Sequence, residues 1–372
     1  MKRLVVLGGG IIGSMHAFFG LKAGFDVIQV ERDSEALSAS VRNFGLIWVS
    51  GREAGPELDL ALRARLLWQE VGTAANIGFR GNGSLTIART DAEFGVLQEA
   101  ASMEDAMLRG FEILHKREVQ QLEPILAGNF VGALRCSLDG AVEPSMLFSG
   151  LRAYLLAQPH YQWIPNFEAV AFDHNETGNH ISDAQGVTIS GEYMALCPGA
   201  AHAGFLSDYL QDAPLRKVFL QMGSTKPITD KLSHSIADSD SLRYYPAFKN
   251  LSLDRLPPQS EVAVEHKMQL LLTPRFDGSF TIGDTHLYQE PFSHEIVEEP
   301  YLHLLEVIGS IFGREFSVAK RWSGVYSQST STRDIYYRNE IAPGAVIVTG
   351  GGGRGNTLSP AIAEETITSW AK

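Results

Sequence analysis

Leu4-Val5-Val6-Leu7 is followed at once by Gly8-Gly9-Gly10-Ile11-Ile12-Gly13, which predicts a short buried strand ending in a glycine-rich turn. An Ala-, Phe- and Leu-rich segment then continues to Ala23 and predicts a helix. Val27-Ile28-Gln29-Val30 predicts a second strand, and Glu31 follows it. A strand, the spacing G-x-G-x-x-G, a helix, a strand and an acid form, in this order, the fingerprint of a dinucleotide-binding turn.

Each glycine of this turn has a physical role. Gly8 allows the tight turn, Gly10 lets a pyrophosphate approach the backbone, and Gly13 lets the helix pack closely against the strand. The helix N-terminus presents free amides and the positive end of its dipole to phosphates. We therefore predict that Gly8 to Gly13, including Ile11 and Ile12, bind a pyrophosphate and that Glu31 binds a ribose hydroxyl. A glycine-rich turn in an ordinary α/β domain is the structural alternative.

The composition limits the possible functions. The chain has 372 residues, of which 44% are hydrophobic and 20% charged, so it can bury a large core in about two domains. A net charge of -12 argues against a nucleic-acid partner, because phosphates need a basic surface. Cys136 and Cys197 are too few for a disulfide framework or a metal cluster, so we predict no metal site and a cytoplasmic location. No run of about 18 apolar residues predicts a membrane span.

Periodicity and turn residues predict further elements along the chain. These are a helix over 56–78, a helix capped by Asp91 that runs to about Leu108, a helix over 144–156, a hairpin of 167–172 with 186–189, and a hairpin of 268–273 with 279–282 around Asp277-Gly278.

The end of the chain carries a second glycine cluster. Ala345-Val346-Ile347-Val348-Thr349 predicts a last buried strand, and Gly350-Gly351-Gly352-Gly353-Arg354-Gly355 follows it. Ser359 as N-cap with Pro360 as first helical residue predicts a terminal helix. We therefore predict an α/β fold, in which a Rossmann-like domain begins and ends the chain and an α+β domain with an antiparallel or mixed sheet is inserted. The predicted ranges are 1-83, 140-215 and 322-372 for the first domain, and 84-139 and 216-321 for the inserted domain.

These segments together resemble a known family. The fingerprint, Arg42-Asn43-Phe44-Gly45, Leu196-Cys197-Pro198-Gly199-Ala200 and the final glycine cluster are similar, in this order, to those of the D-amino acid oxidase-like flavoproteins. That group includes glycine oxidase and monomeric sarcosine oxidase, and the resemblance implies FAD as the cofactor and oxidation of an amine. Within it, Arg42–Gly45, Arg321–Tyr326 and Gly350–Pro360 are most similar to bacterial members associated with aminophosphonate catabolism.

The resemblance implies a cofactor role for each matching position. Glu31 would bind the adenosine ribose, with Arg32 beside it, and Val170 would meet the adenine through its backbone. Negative charge on reduced flavin would be stabilised by the N-terminus of the last helix. The positions that would line the pyrophosphate and the flavin are Ser38, Ser40, Arg42, Asn43, Phe44, Gly45, Cys197, Pro198, Gly199, Gly353, Arg354, Gly355, Asn356, Thr357 and Leu358.

Two departures from the family pattern concern the substrate and the electron acceptor. Related enzymes often carry an arginine that clamps the substrate carboxylate, and Tyr326 stands in its place here. Sarcosine oxidases place a lysine on the hairpin over the flavin, where Thr281 is the nearest match. No cysteine lies on that hairpin or near the final helix, so we predict that FAD is bound non-covalently.

Candidate substrate contacts are polar and aromatic residues on segments that we expect to face the flavin. The alternative for each is an ordinary exposed charge or an aromatic at the core edge. We predict catalytic positions at Thr281, His286, Tyr326 and Arg354, and substrate contacts at Trp48, Lys217, Arg243, Tyr244 and Arg275.

The predicted function is FAD-dependent oxidation of a small amine. The substrate C–H would pass a hydride to flavin N5, and the product imine would then be hydrolysed. The substrate classes favoured are an aminophosphonate and an N-methylated amine or amino acid, with O2 or another electron acceptor. The alternatives are an FAD-dependent oxidoreductase of 2-hydroxy acids and a nucleotide-binding protein without turnover. A monomer and a small homo-oligomer are both consistent with the sequence.

Overall fold

The computed structural model of the protein describes residues 1–371. In chain order the strands are β1 (Arg3–Leu7), β2 (Asp26–Val30), β3 (Leu46–Ile47), β4 (Ser84–Ala88), β5 (Phe111–His115), β6 (Gly132–Cys136), β7 (Gly140–Ala141), β8 (Tyr161–Ile164), β9 (Ala169–Asn175), β10 (Gly178–Asp183), β11 (Thr188–Gly191), β12 (Tyr193–Leu196), β13 (Leu215–Thr225), β14 (Ser235–Asp238), β15 (Leu271–Pro274), β16 (Phe280–Gly283), β17 (Val318–Ser329), β18 (Tyr337–Ala342) and β19 (Ala345–Thr349).

The α-helices lie between these strands and after the last of them. They are α1 (Ile11–Lys22), α2 (Pro56–Ala74), α3 (Asp91–Ala101), α4 (Lys116–Leu122), α5 (Pro144–Leu156), α6 (Ser207–Leu210), α7 (Ser241–Tyr244), α8 (Glu261–Glu265), α9 (Glu299–Phe312) and α10 (Gly355–Trp370).

A six-stranded sheet joins the two ends of the chain in the order β18-β19-β12-β1-β2-β8. Its strands are parallel except for β18, which pairs with β19 in antiparallel orientation. Alternate residues of β1 point to opposite faces. Leu4 and Val6 join the core formed with α1, α2, α5 and α10, whereas Val5 joins the core shared with the three-stranded sheet β9-β10-β11. The parallel sheet is therefore covered on both faces.

A second sheet of eight strands has the order β17-β13-β16-β15-β14-β4-β6-β5. On one face, Phe280 and Ile282 of β16 pack in a core with Ile308 of α9. The opposite face packs with Phe44 and Trp48, which belong to the segment after β2. Within that segment Ile47 joins the helix-side core of the first sheet instead, so residues 44–48 run between the two sheets.

Several predicted elements have different limits in the structure. The predicted hairpin of 167–172 with 186–189 is wrong, because the polar strand β10 lies between β9 and β11. Thr90, not Asp91, caps α3, since its side chain accepts a hydrogen bond from the Glu93 amide, and α3 ends at Ala101 instead of near Leu108.

The predicted start of the last helix at Pro360 is also wrong. α10 begins at Gly355, and Pro360 lies inside it. A proline there removes the amide that would bond to the Asn356 carbonyl. Trp68 Nε1 and Ser359 Oγ donate to that carbonyl instead, at 3.2 and 3.1 Å, so the helix continues through the proline.

The domain ranges stay a prediction, and one predicted boundary, at residues 321 and 322, falls inside the continuous strand β17. Within residues 1–371, no helix is both long and apolar enough to cross a membrane. In the same residues, no group of three His, Cys, Asp or Glu side chains is arranged to hold a metal ion.

Candidate functional site

The turn between β1 and α1 excludes side chains at two of its glycines. A Cβ on Gly13 would overlap the carbonyl oxygen of Gly8, and a Cβ on Gly8, whose φ is +108°, would overlap the carbonyl oxygen of Cys197. At Gly10 the nearest atom to a Cβ would be Ser40 Oγ, at 3.1 Å. The first amides of α1 have no intrahelical acceptor, and Ile11 donates to Ser40 Oγ at 3.0 Å. The backbone amides at the start of α1 thus offer hydrogen-bond donors next to a glycine surface that carries no side chains.

Glu31 follows β2 at the same edge of the sheet. Its Oε2 accepts a hydrogen bond from the Gly9 amide at 2.6 Å, and its Oε1 accepts one from the Asp33 amide at 3.2 Å. Arg32 extends into solvent and pairs with Asp33 at 3.3 Å. The acid of the fingerprint therefore lies directly beside the glycine turn, as its spacing predicts.

The segment from Ser38 to Trp48 connects the two glycine clusters. At one end Ser40 contacts the first turn of α1, and the Asn43 side chain donates to the Ser40 carbonyl at 2.7 Å. At the other end the Trp48 amide donates to Thr357 Oγ1 at 2.9 Å, in the first turn of α10. The remaining predicted positions lie along this segment. Ser38 precedes a 3-10 turn, and the Arg42 side chain donates to the Leu37 and Ser323 carbonyls. Phe44 is buried against Gly283, and Gly45 has a left-handed backbone conformation.

The second glycine cluster leads from β19 into α10. Gly352–Arg354 form a 3-10 turn, and α10 starts at Gly355, where a Cβ would meet no atom within 4 Å. Asn356 Nδ2 donates to the Leu46 carbonyl at 2.9 Å, and Leu358 is fully buried. The end of the chain is therefore bonded directly to the segment that starts at the fingerprint.

The other positions predicted to contact the cofactor differ in their exposure and in their contacts. Val170 is 47% exposed on β9. Cys197 ends the buried strand region after β12, and burial raises the pKa of its thiol, so it is a core residue and not a reactive thiolate. After Pro198, Gly199 has φ +59°, and its carbonyl accepts a hydrogen bond from Thr349 Oγ1 at 2.7 Å.

An aromatic cluster lies next to the second glycine cluster. Tyr244 packs edge-on against Tyr245, and the Trp48 ring lies 6.0 Å from that of Tyr245. A Cβ on Gly353 would be 3.8 Å from Tyr326 Oη and 3.9 Å from Tyr244 Oη, so both hydroxyls face this turn. Among residues 1–371, buried Tyr326 Oη and Trp48 Nε1 have no hydrogen-bond partner. Unpaired buried donors of this kind are costly, which indicates a place for a polar ligand.

Asp284 and His286, just after β16, close the same cluster. The His286 ring stacks on Tyr244 with centroids 4.6 Å apart, and its Nδ1 lies 2.9 Å from the Lys267 carbonyl. Its Nε2 is 3.6 Å from Asp284 Oδ2. Burial raises the pKa of Asp284, and together burial and the Asp284 charge raise the pKa of Tyr244. Asp284 Oδ1 is buried and has no partner in the part of the chain described.

Sequence reasoning missed Asp284 and two further charged residues of this cluster. Arg52 is 3% exposed, lies over the Tyr245 ring with its Cζ 5.3 Å from the centroid, and pairs with Glu57 at 3.4 Å. Glu57 also pairs with Arg354 at 3.2 Å. Arg52, Glu57 and Asp284 belong to no sequence motif. The one sequence feature that could have indicated Arg52 and Glu57 is that two charged residues lie at the start of a helix whose other face is apolar.

Four predicted residues have other partners. Lys217 pairs with Glu290 near the surface at 3.1 Å, and Arg243 is bound to Asp240 and to the Leu253 and Pro257 carbonyls. Arg275 Nε donates to Thr281 Oγ1 at 2.7 Å, and burial lowers the pKa of Arg275 to about 10. These contacts place Thr281 and Arg275 together, on the side of Asn43, whose carbonyl accepts from Arg275 Nη2 at 3.4 Å.

Known proteins resemble the chain over nearly its whole length. Residues 3–368 match the model of the DAO family, described as FAD dependent oxidoreductase. The chain belongs to the DAO family. This match confirms the predicted family and FAD as the predicted cofactor.

Individual relatives of the chain have low sequence identity to it. One of the opine oxidase subunits of Rhizobium meliloti is 28% identical over 162 residues, which cover 40% of this chain and 43% of that protein. The chain thus matches about half the length of such curated relatives. Glycine oxidase from Bacillus cereus ATCC 14579 has a TM-score of 0.79 and 20% identity, over 99% of this chain and 94% of that one. Iminodiacetate oxidase from Chelativorans sp. BNC1 has a TM-score of 0.76 and 17% identity, over 99% and 95%. These likenesses confirm the predicted fold class.

The residues present fit a dinucleotide such as FAD. The turn at Gly8 and Gly13 admits no side chain, the helix amides beside Gly10 offer donors to phosphate, and Glu31 lies next to them. The segment to Trp48 leads from this turn to the N-terminus of α10. When bound, FAD supplies a two-electron acceptor that the protein side chains lack.

Proposed function

We propose that this DAO-family enzyme oxidises a small amine that carries an anionic group. The aromatic cluster of Tyr244, Tyr245, Tyr326 and Trp48 would enclose the substrate beside the second glycine cluster. Its walls are buried or half-buried, so water would be kept from the reacting carbon and charge interactions would be strengthened.

The observation that carries the proposal is the buried carboxylate of Asp284. Its Oδ1 has no partner within residues 1–371, and burial raises its pKa. A substrate ammonium would supply the missing donor and the opposite charge. A 2-hydroxy acid carries no cation, so it would leave the Asp284 carboxylate without an opposite charge. This site therefore favours amines.

Asp284 would also receive a proton. An amine must lose its N–H proton before the nitrogen lone pair can assist hydride loss from the neighbouring carbon. A raised pKa makes the Asp284 carboxylate a stronger proton acceptor than an exposed aspartate. His286 and Tyr244, packed beside it, would hold the carboxylate in position. The imine product would then be hydrolysed by water to a carbonyl compound and an amine or ammonia.

The cofactor roles predicted from the sequence are part of the proposal. The backbone of Gly8–Gly13 would hold the pyrophosphate, Glu31 the ribose, and residues 38–45 and 353–358 the flavin side. Thr281 and Arg275 would face the flavin near Asn43. Hydrogen bonds between neighbouring segments support this assignment of the cofactor site, because they link each of these segments to the next.

The substrate classes proposed are an aminophosphonate and an N-methylated amine or amino acid. The names of the three relatives, opine oxidase, glycine oxidase and iminodiacetate oxidase, all refer to compounds with both an amine and an acid group. The electron acceptor, a cytoplasmic location and a monomeric or small oligomeric state remain predictions from the sequence.

Anaerobic bleaching of the flavin absorbance tests the substrate class. Purified enzyme loaded with FAD would be mixed with sarcosine, glycine, iminodiacetate and 2-aminoethylphosphonate, and separately with lactate and glycolate. We expect bleaching with at least one amine and with neither hydroxy acid. Bleaching by a hydroxy acid and by no amine would show that the proposed substrate class is wrong. Asp284→Asn should slow bleaching by the amine and leave the spectrum of bound FAD unchanged.

A further inference from the structure

Strand β2 carries a polar side chain at a position that is completely buried. Gln29 lies between Ile28 and Val30, and its Nε2 donates to the Gly8 carbonyl of the fingerprint at 2.9 Å. Buried polar side chains normally have a partner for each of their polar atoms. The groups that bind Gln29 Oε1 are therefore linked, through one amide, to the glycine turn.

Two side chains donate hydrogen bonds to Gln29 Oε1. Tyr161 Oη donates at 2.7 Å and Arg152 Nη1 at 3.0 Å, and Arg152 Nη1 also donates to Tyr161 Oη. Tyr161 belongs to β8, which pairs with β2, and Arg152 belongs to α5, which packs in the same core as α1. A cation on α5 is thus bonded to the residue that holds the Gly8 carbonyl.

Trp163 places the same cation behind the second glycine of the turn. Trp163 is the register partner of Gln29 in the neighbouring strand, so both side chains leave the sheet on the same face. The Arg152 guanidinium lies over the Trp163 ring, with Cζ 3.3 Å from the ring centroid. A Cβ on Gly9 would lie 2.8 Å from Trp163 Cη2. One aromatic ring therefore separates the guanidinium from the backbone of the turn.

The charge of Arg152 is not paired with a carboxylate. The residue is 8% exposed, and within residues 1–371 its guanidinium forms no ion pair and its buried Nε has no hydrogen-bond partner. Burial lowers the pKa of Arg152, and the opposing effects of Tyr161 and Glu35 are smaller. An arginine stays ionised in a protein, so this buried charge is costly unless an anion stabilises it.

Glu31 brings a negative charge to the other side of this arrangement. Its Oε2 accepts the hydrogen bond of the Gly9 amide, and a Cβ on Gly9 would lie 3.0 Å from that oxygen. A pyrophosphate held by the turn would therefore lie near a carboxylate, and like charges repel. The cation behind Trp163 has the sign that offsets this repulsion.

We propose that Arg152 is the compensating charge that allows a pyrophosphate and the Glu31 carboxylate to share one glycine turn. This inference rests on the cofactor site of the proposed function, in which Gly8–Gly13 hold the pyrophosphate. Arg152 acts from behind the Trp163 ring, through a protein interior that screens charges less than water does. It is a positioning residue as well, since it holds Gln29 and, through it, the Gly8 carbonyl.

Three ligands that differ in charge test this role in the full-length enzyme after removal of FAD. FAD is titrated by flavin fluorescence, and ADP and adenosine are measured as competitors. We expect Arg152→Gln, which keeps N–H donors and loses the charge, to raise the Kd of FAD and ADP roughly tenfold. Adenosine has no pyrophosphate, so its Kd should change less than about twofold. Arg152→Lys keeps the charge and should bind all three ligands within about threefold of the wild type.

Two control variants separate charge from structure. Tyr161→Phe removes a hydroxyl from the same network and no charge, so it should lower stability in urea while the ratio of ADP to adenosine affinity stays unchanged. Arg314→Gln removes an arginine that pairs with Asp230 on the surface, and it should change no Kd.

Several results would contradict the role of Arg152. If Arg152→Gln weakens adenosine as much as ADP, or if Arg152→Lys is as weak as Arg152→Gln, the network acts through its shape and not through its charge. Should Arg152→Gln fail to fold, Arg152→Lys still decides, because a lower ratio of ADP to adenosine affinity in that variant is incompatible with a charge effect.

These measurements contain no amine, so they are separable from the substrate screen. If hydroxy acids alone bleach the flavin while Arg152→Gln selectively weakens ADP, the proposed function fails and the role of Arg152 stands. Weak FAD binding by Gly13→Ala together with normal ADP binding by Arg152→Gln would refute the role of Arg152 alone and leave the cofactor site in place.

Discussion

The proposed nucleotide end and the proposed substrate pocket are built in different ways. At the nucleotide end, short sequence-local elements present backbone amides around glycines, and the Glu31 carboxylate bonds to one of these amides. The pocket instead brings buried and half-buried charged and aromatic side chains from distant segments, among them Arg52, Tyr244, Asp284 and Arg354.

This difference determines how each region responds to mutation. A backbone site fails when atoms are added, because the strand and helix cannot move apart. A side-chain site fails when charge is removed, because the partner group is then left buried and unpaired. Addition of a methyl group should therefore damage the first region most, and isosteric loss of charge should damage the second.

The largest effect is expected for Gly13→Ala. The added methyl would overlap the backbone carbonyl of Gly8, which β1 and its neighbours hold in place. Overpacking against backbone costs about 1–3 kcal/mol or more, so FAD affinity should fall about 100-fold. Equilibrium titration with FAD, followed by flavin fluorescence, measures this change.

Gly95→Ala is the matched control for Gly13→Ala. This glycine lies in α3, and a Cβ there would meet only the flexible end of Arg255, at 3.2 Å. FAD affinity should be unchanged, and the helix should gain about 0.5–1 kcal/mol. Full FAD binding by Gly13→Ala would show that the fingerprint does not position the cofactor through close backbone contact.

Asp284→Asn should have the next largest effect, and it acts on the pocket alone. Loss of a positioned proton acceptor lowers kcat/KM for an amine by roughly 100-fold, with FAD affinity unchanged. The pH dependence gives a sharper readout. Burial raises the pKa of Asp284, so the carboxyl is neutral at low pH and ionises as pH rises. Wild-type kcat/KM should therefore rise through that pKa, and the variant should lose this limb of the profile.

Asp230→Asn provides the control for this experiment, since Asp230 pairs with Arg314 on the surface. Its pH profile should match that of the wild type. An unchanged acid limb in Asp284→Asn would show that Asp284 is not the group whose ionisation the profile reports.

The smallest effect concerns the join between the two regions. Trp68 Nε1 donates to the Asn356 carbonyl that Pro360 leaves free. Trp68→Phe should lower the free energy of unfolding, and Pro360→Ala should offset about 1 kcal/mol of that loss by restoring a backbone donor. Urea denaturation of the single and double variants measures this coupling. Trp370→Phe, at the far end of α10, should be additive with Pro360→Ala within about 0.5 kcal/mol.

The same contrast explains what the sequence could predict. The strand, turn, helix and acid at residues 4–31 are contiguous, so their spacing alone predicts a dinucleotide-binding fold. FAD as the cofactor followed from the resemblance that includes the second glycine cluster. Trp48, Tyr244, His286, Tyr326 and Arg354, chosen as candidates, do lie together in the structure. Lys217 and Arg243 do not. Lys217 pairs with Glu290, which is distant in the sequence, whereas Arg243 pairs with Asp240 at the i, i+3 spacing of a helical turn.

Other features depend on tertiary contacts that no local pattern encodes. Arg52 and Asp284 become site residues only because Asp139, Arg109 and the rings around them hold distant segments together. Pro360 was expected to start a helix, since the donor that replaces its missing amide, Trp68, lies far away in the sequence. Residues 102–108 were expected to be helical for a similar reason, because Arg109, which follows them, is anchored to the loop at 50–52.

The position of β1 beside β12, with β19 next in the same sheet, has a consequence for biosynthesis. A ribosome makes the fingerprint before α10, and at about 5–20 residues per second this interval is roughly 20–70 s. During that time the fingerprint exists without the turn that we propose faces the other end of the cofactor. FAD capture should thus be a late event that follows the synthesis of α10, and the cellular supply of free flavin at that moment would govern how much polypeptide matures into enzyme.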